Sequence, residues 1–150
     1  FKQQNNFYLR KIGEGGNINH KNISINEIVN LTGNSSNLFF KIDIEGSEYR
    51  ILRDLISHYK KIEGLVIEFH DVDLHIIKIL DFLSKFKLKL VHIHGNNWSE
   101  YGLDKIPSSI ELTFSKMPTL LEKNCILPHD LDQKNNPDAE EIKLFFENND

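Results

Sequence analysis

The chain has 150 residues, 39% of them hydrophobic and 27% charged, which suits one globular domain with a sizeable core. A formal net charge of −4 argues against a nucleic-acid partner, which would favour a basic surface. No apolar run approaches the roughly 20 residues of a membrane-spanning helix, so we expect no membrane partner. The only cysteine, Cys125, excludes an internal disulfide, and no secretory leader is visible. We therefore expect a cytoplasmic protein.

The first 21 residues have no clear hydrophobic period, although residues 7–12 are compatible with a short strand. Gly13, Gly15 and Gly16 resemble a phosphate-binding loop in composition. No third glycine stands at the required spacing, and no helix start follows. A glycine-rich surface turn is therefore the favoured interpretation.

The first confident elements are a helix and a strand. Ser24 and Glu27 have the spacing of a capping box, which predicts a helix from Ile25 to Leu31 that Gly33 ends. The segment 38–44 is almost continuously apolar, which predicts a strand buried on both faces, as in a parallel sheet.

Helical and strand patterns then alternate along the chain. Helices are predicted over 47–59 and 73–85, and strands over 65–69, 88–94 and 110–114. The second of these helices has an apolar stripe made of Ile76, Ile77, Leu80, Leu83 and Phe86. The alternation implies βαβ units in an α/β domain with a largely parallel sheet. A loop joins the last two strands and allows an antiparallel last strand. We expect one domain over 1–150, with a core over 24–117 and an irregular tail over 118–150.

Polar residues lie at the carboxyl ends of two of the predicted strands. Asp43 and Glu45 lie at the end of the first strand, and His70 lies at the end of the second. Ligands of open α/β sheets bind outside the carboxyl ends of the strands, so these three are the candidate catalytic residues. In the alternative interpretation, one carboxylate caps the next helix and His70 is an ordinary loop residue. Glu48 is assigned to the first turn of that helix, as a partner of its dipole.

Further polar side chains lie in or after the strands. Glu68 sits within an apolar strand, so it must be paired or protonated, and it is a candidate for substrate binding. His92 and His94 share a strand face and could form a three-ligand metal site with His70, Asp43 or Glu68. The favoured interpretation is that they are hydrogen-bonded histidines facing the substrate crevice, with no metal. Three residues after this strand are also candidates for substrate binding: Asn96, Asn97 and Trp98.

The segment KIDIEGSE at 41–48 resembles the K-I-D-V-E-G-A-E motif of the FkbM family of S-adenosylmethionine-dependent methyltransferases. Similar segments follow in the same order: VIE at 66–68, HIHGNN at 92–97 and PSSIELTF at 107–114. The resemblance covers about 24–137. It implies a partial Rossmann-like class I methyltransferase fold, with an antiparallel last strand. It also implies O-methylation of a hydroxylated metabolite, or of a sugar or glycan.

The family's Asp-x-Gly-rich cofactor loop and its ribose-binding acidic residue have no counterpart in this chain. The resemblance therefore implies the C-terminal portion of a methyltransferase domain, with S-adenosylmethionine as cofactor and Asp43 as a cofactor-binding residue. We expect a fragment, a split member or a degenerate member, which binds the cofactor weakly without a cofactor-binding N-terminal half. Two alternatives stay open: a non-catalytic α/β binding module, and a metal-dependent hydrolase built on His70, His92 and His94.

Overall fold

The computed structural model describes residues 11–12, 22–33, 37–99, 101–102, 106–119 and 127–144. A small parallel sheet pairs β1 (Lys11–Ile12) with β2 (Asn22–Ile23). The strand predicted over 7–12 is thus described only at its end, and the predicted glycine-rich turn at 13–16 lies outside the described residues. None of the described helices combines the length and the apolar character needed to cross a membrane.

The main sheet has four strands, in the order β3-β4-β6-β5. They are β3 (Leu38–Ile42), β4 (Ile62–His70), β5 (Lys89–Gly95) and β6 (Ser109–Ser115). β3 is parallel to β4, and β6 is antiparallel to both β4 and β5. The predicted parallel direction of the first three strands and the antiparallel last strand are therefore confirmed. The sequence pattern did not predict that the last strand would lie between β4 and β5.

The first helix, α1 (Ile25–Leu31), begins and ends as predicted. The backbone N–H of Glu27 donates to Ser24 Oγ at 3.2 Å, and the backbone N–H of Ser24 donates to Glu27 Oε2 at 2.8 Å. Gly33 has a φ of 62°, a left-handed conformation that glycine adopts without strain. The capping box and the glycine therefore set the two ends of this helix.

The helix predicted over 47–59 is broken into three pieces. A 3-10 turn at Glu48–Arg50 precedes α2 (Leu52–Ser57), and a second 3-10 turn at Tyr59–Lys61 follows it. The Glu48 side chain turns back to accept hydrogen bonds from the preceding loop, which fits a tight turn at this helix start. The prediction of one regular helix is therefore wrong.

The next helix, α3 (Val72–Lys85), agrees with its predicted range within one residue. Three residues of its predicted apolar stripe, Ile76, Leu83 and Phe86, lie in or against the core. The other two do not, because Ile77 is 75% exposed and Leu80 is 53% exposed. The residues that α3 itself buries are Val72, Ile79 and Phe82, so the stripe is only partly as predicted.

The main sheet has one apolar face and one polar face. On the apolar face, one row of neighbouring residues across β3, β4 and β6 is Ile42, Ile67 and Leu112, all part of the core that includes residues of the three helices. On the polar face, one row across β4, β6 and β5 is Glu68, Glu111 and His94. Because strand side chains alternate between faces, β3 is buried on one face only, and Phe39 is 67% exposed. The prediction that this strand is buried on both faces is wrong.

Residues 127–144, here called the strap, lie against the polar face beside β5. They contain no regular helix or strand, and Leu127 forms an isolated bridge with Leu144. Ile142 packs closely on Gly95, where an added Cβ would lie 2.8 Å from Ile142 Cγ2. Asn97 Nδ2 donates to the Asn136 carbonyl at 2.9 Å, and Asn97 Oδ1 accepts from the Asn136 N–H at 2.7 Å. These contacts fasten the strap to the sheet.

Candidate functional site

The turn that follows β3 brings two carboxylates to the end of β4. β3 ends at Ile42, and Glu45 has a φ of 54°, which is uncommon for a residue other than glycine. A strand that continued to residue 45 would place Asp43 and Glu45 on the same face. Because β3 ends at Ile42, they do not share a strand face. The turn instead directs Glu45 Oε2 to within 3.5 Å of His70 Nε2.

His70, the last residue of β4, is surrounded by carboxylates. Its Nε2 lies 3.9 Å from Asp43 Oδ1 and 3.8 Å from Glu68 Oε1. Its Nδ1 lies 3.3 Å from Glu48 Oε1. Asp43 and Glu45 thus lie beside His70, as predicted, whereas His94, which was predicted to line the same cleft, pairs with Glu141 of the strap. We call Asp43, Glu45, Glu48, Glu68 and His70 the His70 cluster.

Glu68 is held in the cluster by neutral donors. The residue is 7% exposed, and its Oε1 accepts hydrogen bonds from Asn96 Nδ2 at 2.6 Å and from Ser109 Oγ at 3.1 Å. Burial of a carboxylate requires such partners. Its side chain is therefore fixed in orientation beside His70.

Glu48 is the member of the cluster whose position the sequence analysis missed. It is fully buried, and its Oε1 accepts from the backbone N–H groups of Ile44 at 3.0 Å and Gly46 at 3.3 Å. Its Oε2 is buried with no hydrogen-bond partner among the described residues. Glu48 thus closes the turn instead of facing a helix dipole from the surface. The sequence signal that could have indicated this role of Glu48 is its position two residues after Gly46 of the turn.

Tyr49 supports the same strand end from the helix side. Its hydroxyl donates to the His70 carbonyl at 2.5 Å, and its ring lies 5.6 Å from that of Phe69. Burial raises the pKa of the Tyr49 hydroxyl well above its ordinary value, and the negative charge of Glu48 acts in the same direction. Tyr49 was not a predicted site residue, because an aromatic residue in a helical segment first indicates a core position.

His92 and His94 lie on the polar face, but each is paired with the strap. His92 Nε2 is 2.8 Å from Asp132 Oδ1, and His94 Nε2 is 3.1 Å from Glu141 Oε1. Among the described residues, neither histidine is hydrogen-bonded or ion-paired with a member of the His70 cluster. The group of metal-type ligands that the described residues bring together is Asp43, Glu68 and His70. The structure therefore does not gather His70, His92 and His94 into one ligand group.

The three residues after β5 have different surroundings. Asn96 contacts Glu68 of the cluster, whereas Asn97 holds the strap. Trp98 is 68% exposed, and its indole N–H donates to the Asn135 carbonyl at 2.7 Å. Of these three, Asn96 is the one placed at the candidate site, and the substrate roles of all three stay predictions.

Lys41 is the cation that lies beside the cluster on the polar face. Its Nζ donates to Glu111 Oε2 at 2.8 Å, and this hydrogen bond raises the pKa of the Lys41 ammonium. The negative charges of Asp43 and Glu68 raise it further. The positive charge of Lys41 is thus matched mainly by Glu111.

A separate groove of about 520 Å³ lies between α2 and α3, on the helix-covered side of the sheet. Residues that line it include Tyr49, Arg50, Arg53, Ile77 and Lys78. It contains none of the predicted site residues. The candidate chemistry therefore lies at the strand ends and not in this groove.

Comparison of the chain with family models, with curated proteins and with solved structures finds no match. The mixed α/β fold and the geometry of the His70 cluster follow from the structure itself. The resemblance to the FkbM family stays a prediction.

Proposed function

We propose that this chain is the acceptor-side portion of an S-adenosylmethionine-dependent O-methyltransferase that resembles the FkbM family. The observation that carries this proposal is the convergence of Asp43, Glu45 and Glu68 on His70, where β3 and β4 end. Ligands of α/β sheets bind at this edge. The antiparallel last strand also agrees with the partial class I fold that the resemblance implies. The acceptor is a hydroxylated metabolite, or a sugar or glycan.

The charge of the His70 cluster suits a cationic cofactor. S-adenosylmethionine, when bound, supplies a methyl group attached to a positively charged sulfonium. The side chains of Asp43 and Glu45 are 43% and 86% exposed, so they are open to a ligand, whereas Glu48 and Glu68 are buried. The negative charges of Asp43 and Glu45 therefore favour the positively charged sulfonium next to the acceptor.

His70 is the group placed to remove the proton of the acceptor hydroxyl. Its Nε2 faces the open carboxylates, while Nδ1 faces buried Glu48 at 3.3 Å, which orients the ring. A general base in such a position contributes about 10²–10⁴-fold to the rate. Positioning of the hydroxyl by Glu68 and Asn96 adds to this contribution.

In this proposal, most of the contacts that bind the cofactor are supplied by another part of the protein and not by the described residues of this chain. Within the residues that the structure describes, no glycine-rich turn leads from a strand into a helix N-terminus that could hold it. We therefore include a cofactor-binding N-terminal half as a partner. A cytoplasmic location, without nucleic-acid or membrane partners, is also part of the proposal and rests on the composition.

The first test compares two ligands that differ in charge. S-adenosylmethionine carries the sulfonium, and S-adenosylhomocysteine lacks both its methyl group and its positive charge. We expect the cationic ligand to shift the NMR signals of His70 more strongly, with weak affinity, and Asp43→Asn to remove this preference. Equal shifts from both ligands would contradict the proposal and favour the non-catalytic binding module.

The second test separates catalysis from folding. Transfer of a radiolabelled methyl group to hydroxylated sugars is measured in a protein that carries the cofactor-binding half, together with the free energy of unfolding. Asp43→Asn should lower turnover by about 10²–10³-fold, as the loss of one preorganised electrostatic group does. Its effect on stability should stay within about 0.5 kcal/mol, because Asp43 is exposed. Unchanged turnover with lowered stability would assign Asp43 to structure. Asp132→Asn, in the strap, is the matched control.

A further inference from the structure

The His70 cluster holds more negative charge than its described neighbours balance. Four carboxylates lie within 3.9 Å of the imidazole, and even a doubly protonated ring supplies a single positive charge. Lys41 lies on the same face, but its Nζ is 2.8 Å from Glu111. Two of the four carboxylates, those of Glu48 and Glu68, are buried, and buried charges in proteins are paired or bind metals.

Three members of the cluster present ligand atoms at a spacing that suits one ion. An oxygen of Asp43, an oxygen of Glu68 and a nitrogen of His70 all lie within 4.8 Å of one another. Two ligands that are each about 2.1 Å from one ion can be at most about 4.2 Å apart. The distances from His70 Nε2 to Asp43 and Glu68, 3.9 Å and 3.8 Å, already meet this limit. Asp43 is exposed, so its carboxylate can turn to shorten the third distance.

The groups behind these ligands are also arranged as they are at metal sites. Metal-binding histidines commonly direct the second ring nitrogen to a carboxylate, and His70 Nδ1 lies 3.3 Å from Glu48 Oε1. Ligating carboxylates are themselves hydrogen-bonded, and Glu68 accepts from Asn96 and Ser109. The Glu68 carboxylate is therefore held before any ion binds, and a carboxylate oxygen of Glu48 lies beside the second ring nitrogen of His70.

A second, independent observation that points to a cation is the carboxylate oxygen Oε2 of Glu48, which is buried without a hydrogen-bond donor among the described residues. Glu48 is fully buried against His70, and its Oε2 has no hydrogen-bond partner in the described part of the chain. His70 Nδ1 is likewise buried without a hydrogen bond of good geometry. Buried polar atoms left in this state are unfavourable. A cation held at His70 would lower the energy of the buried Glu48 carboxylate.

We propose that Asp43, Glu68 and His70 bind one divalent transition-metal ion, with Glu48 as the carboxylate partner behind His70. One imidazole with two carboxylates suits Zn²⁺ or Mn²⁺ better than Mg²⁺ or Ca²⁺, which prefer oxygen ligands alone. Zn²⁺ binds more tightly than Mn²⁺ at such a site. A metal ion would occupy the lone pair of His70 Nε2, so this proposal and the role of His70 as a general base are alternatives, and metal binding is tested here without methyl transfer. It also differs from the metal site considered in the sequence analysis, since neither His92 nor His94 takes part.

Calorimetric titration of the metal-free chain with ZnCl₂, MnCl₂ and MgCl₂ tests this site, in the absence of S-adenosylmethionine. We expect one Zn²⁺ per chain, weaker binding of Mn²⁺, and no measurable binding of Mg²⁺. Asp43→Asn should weaken Zn²⁺ binding by more than about 100-fold, because loss of even an outer partner typically causes a 10–100-fold loss. Asp132→Asn, which removes a histidine partner in the strap, should bind as the wild type does.

A second measurement guards against zinc bound by surface histidines and against misfolded variants. Co²⁺ at the site should give visible absorption bands that disappear in Glu68→Gln, while circular dichroism shows that the variant is folded. If Glu68→Gln unfolds, Asp43→Asn decides alone, since Asp43 is exposed. Absence of saturable one-to-one binding would overturn the proposal. Wild-type affinity in Asp43→Asn would overturn it as well.

Discussion

Two histidine environments on the same sheet differ in how many carboxylates each ring faces. His92 and His94 each lie beside one carboxylate, supplied by the strap. His70 lies beside four, supplied by the turn after β3 and by β4. One carboxylate per histidine makes a balanced contact that fastens one segment to another. Four carboxylates around one histidine leave negative charge for a ligand to balance. The number of carboxylates around each histidine, and not the mere presence of a histidine–carboxylate pair, distinguishes the candidate site from the structural contacts in this sheet.

The strongest test of this contrast removes Glu48. Glu48→Ala should lower the free energy of unfolding by about 2–3 kcal/mol, because the N–H groups of Ile44 and Gly46 lose their acceptor. Glu48→Gln keeps an acceptor oxygen and should cost much less. Urea denaturation of both variants, with metal removed, measures the difference.

The matching change in the strap is Glu141→Ala, which removes the single carboxylate partner of His94. Its expected effect is about 1 kcal/mol or less, as for most ion pairs near a surface. Equal losses of stability in Glu48→Ala and Glu141→Ala would show that the two environments do not differ as described.

An intermediate loss of stability is expected when the strap is released from the sheet. Asn97→Ala removes the side chain that bonds the Asn136 backbone in both directions, so stability should fall by about 1–2 kcal/mol. Limited proteolysis should then cut within 127–144 faster than in the wild type, while the NMR signals of His70 stay unchanged. Trp98→Phe loses one exposed hydrogen bond and serves as the control. Shifted His70 signals in Asn97→Ala would mean that the two regions are coupled.

The smallest effect concerns Lys41, whose side chain reaches from β3 to Glu111 of β6. Its pKa is raised from 10.5 in the folded protein, chiefly by the hydrogen bond to Glu111. The stabilisation is therefore fully present below about pH 10 and is lost as the pH rises through the folded pKa. Lys41→Met should be less stable than the wild type by under about 1 kcal/mol at pH 8, because the pair is exposed. The difference should become smaller as the pH rises through the folded pKa of Lys41. A difference that grows at high pH would contradict this assignment.

Local patterns were sufficient to predict part of this molecule. The capping box and Gly33 bound α1 because those contacts are made within a few residues. The approach of Asp43 to His70 was predictable because parallel strands end at the same edge of a sheet.

Features that depend on distant residues were not predictable from local pattern. Burial of Glu48 depends on the left-handed Glu45 and on the end of β4, neither of which has a periodic signal. The partner of His92 is Asp132, forty positions away in an irregular segment. The exposure of Phe39 follows from the edge position of β3 in the described sheet, which an apolar run does not indicate.

The place of β6 in the sheet has a consequence for the order of folding. β5 pairs with β6 and not with β4, so in the described sheet it has no neighbour until the last strand arrives. The helix α3 can carry the chain from β4 to β5 early, but it leaves a gap one strand wide between them. Ser109–Ser115 then fills this gap and pairs on both sides at once. Assembly of the sheet is therefore expected to be late and cooperative. A nascent chain that ends before residue 109 would expose two strand edges that are prone to aggregation.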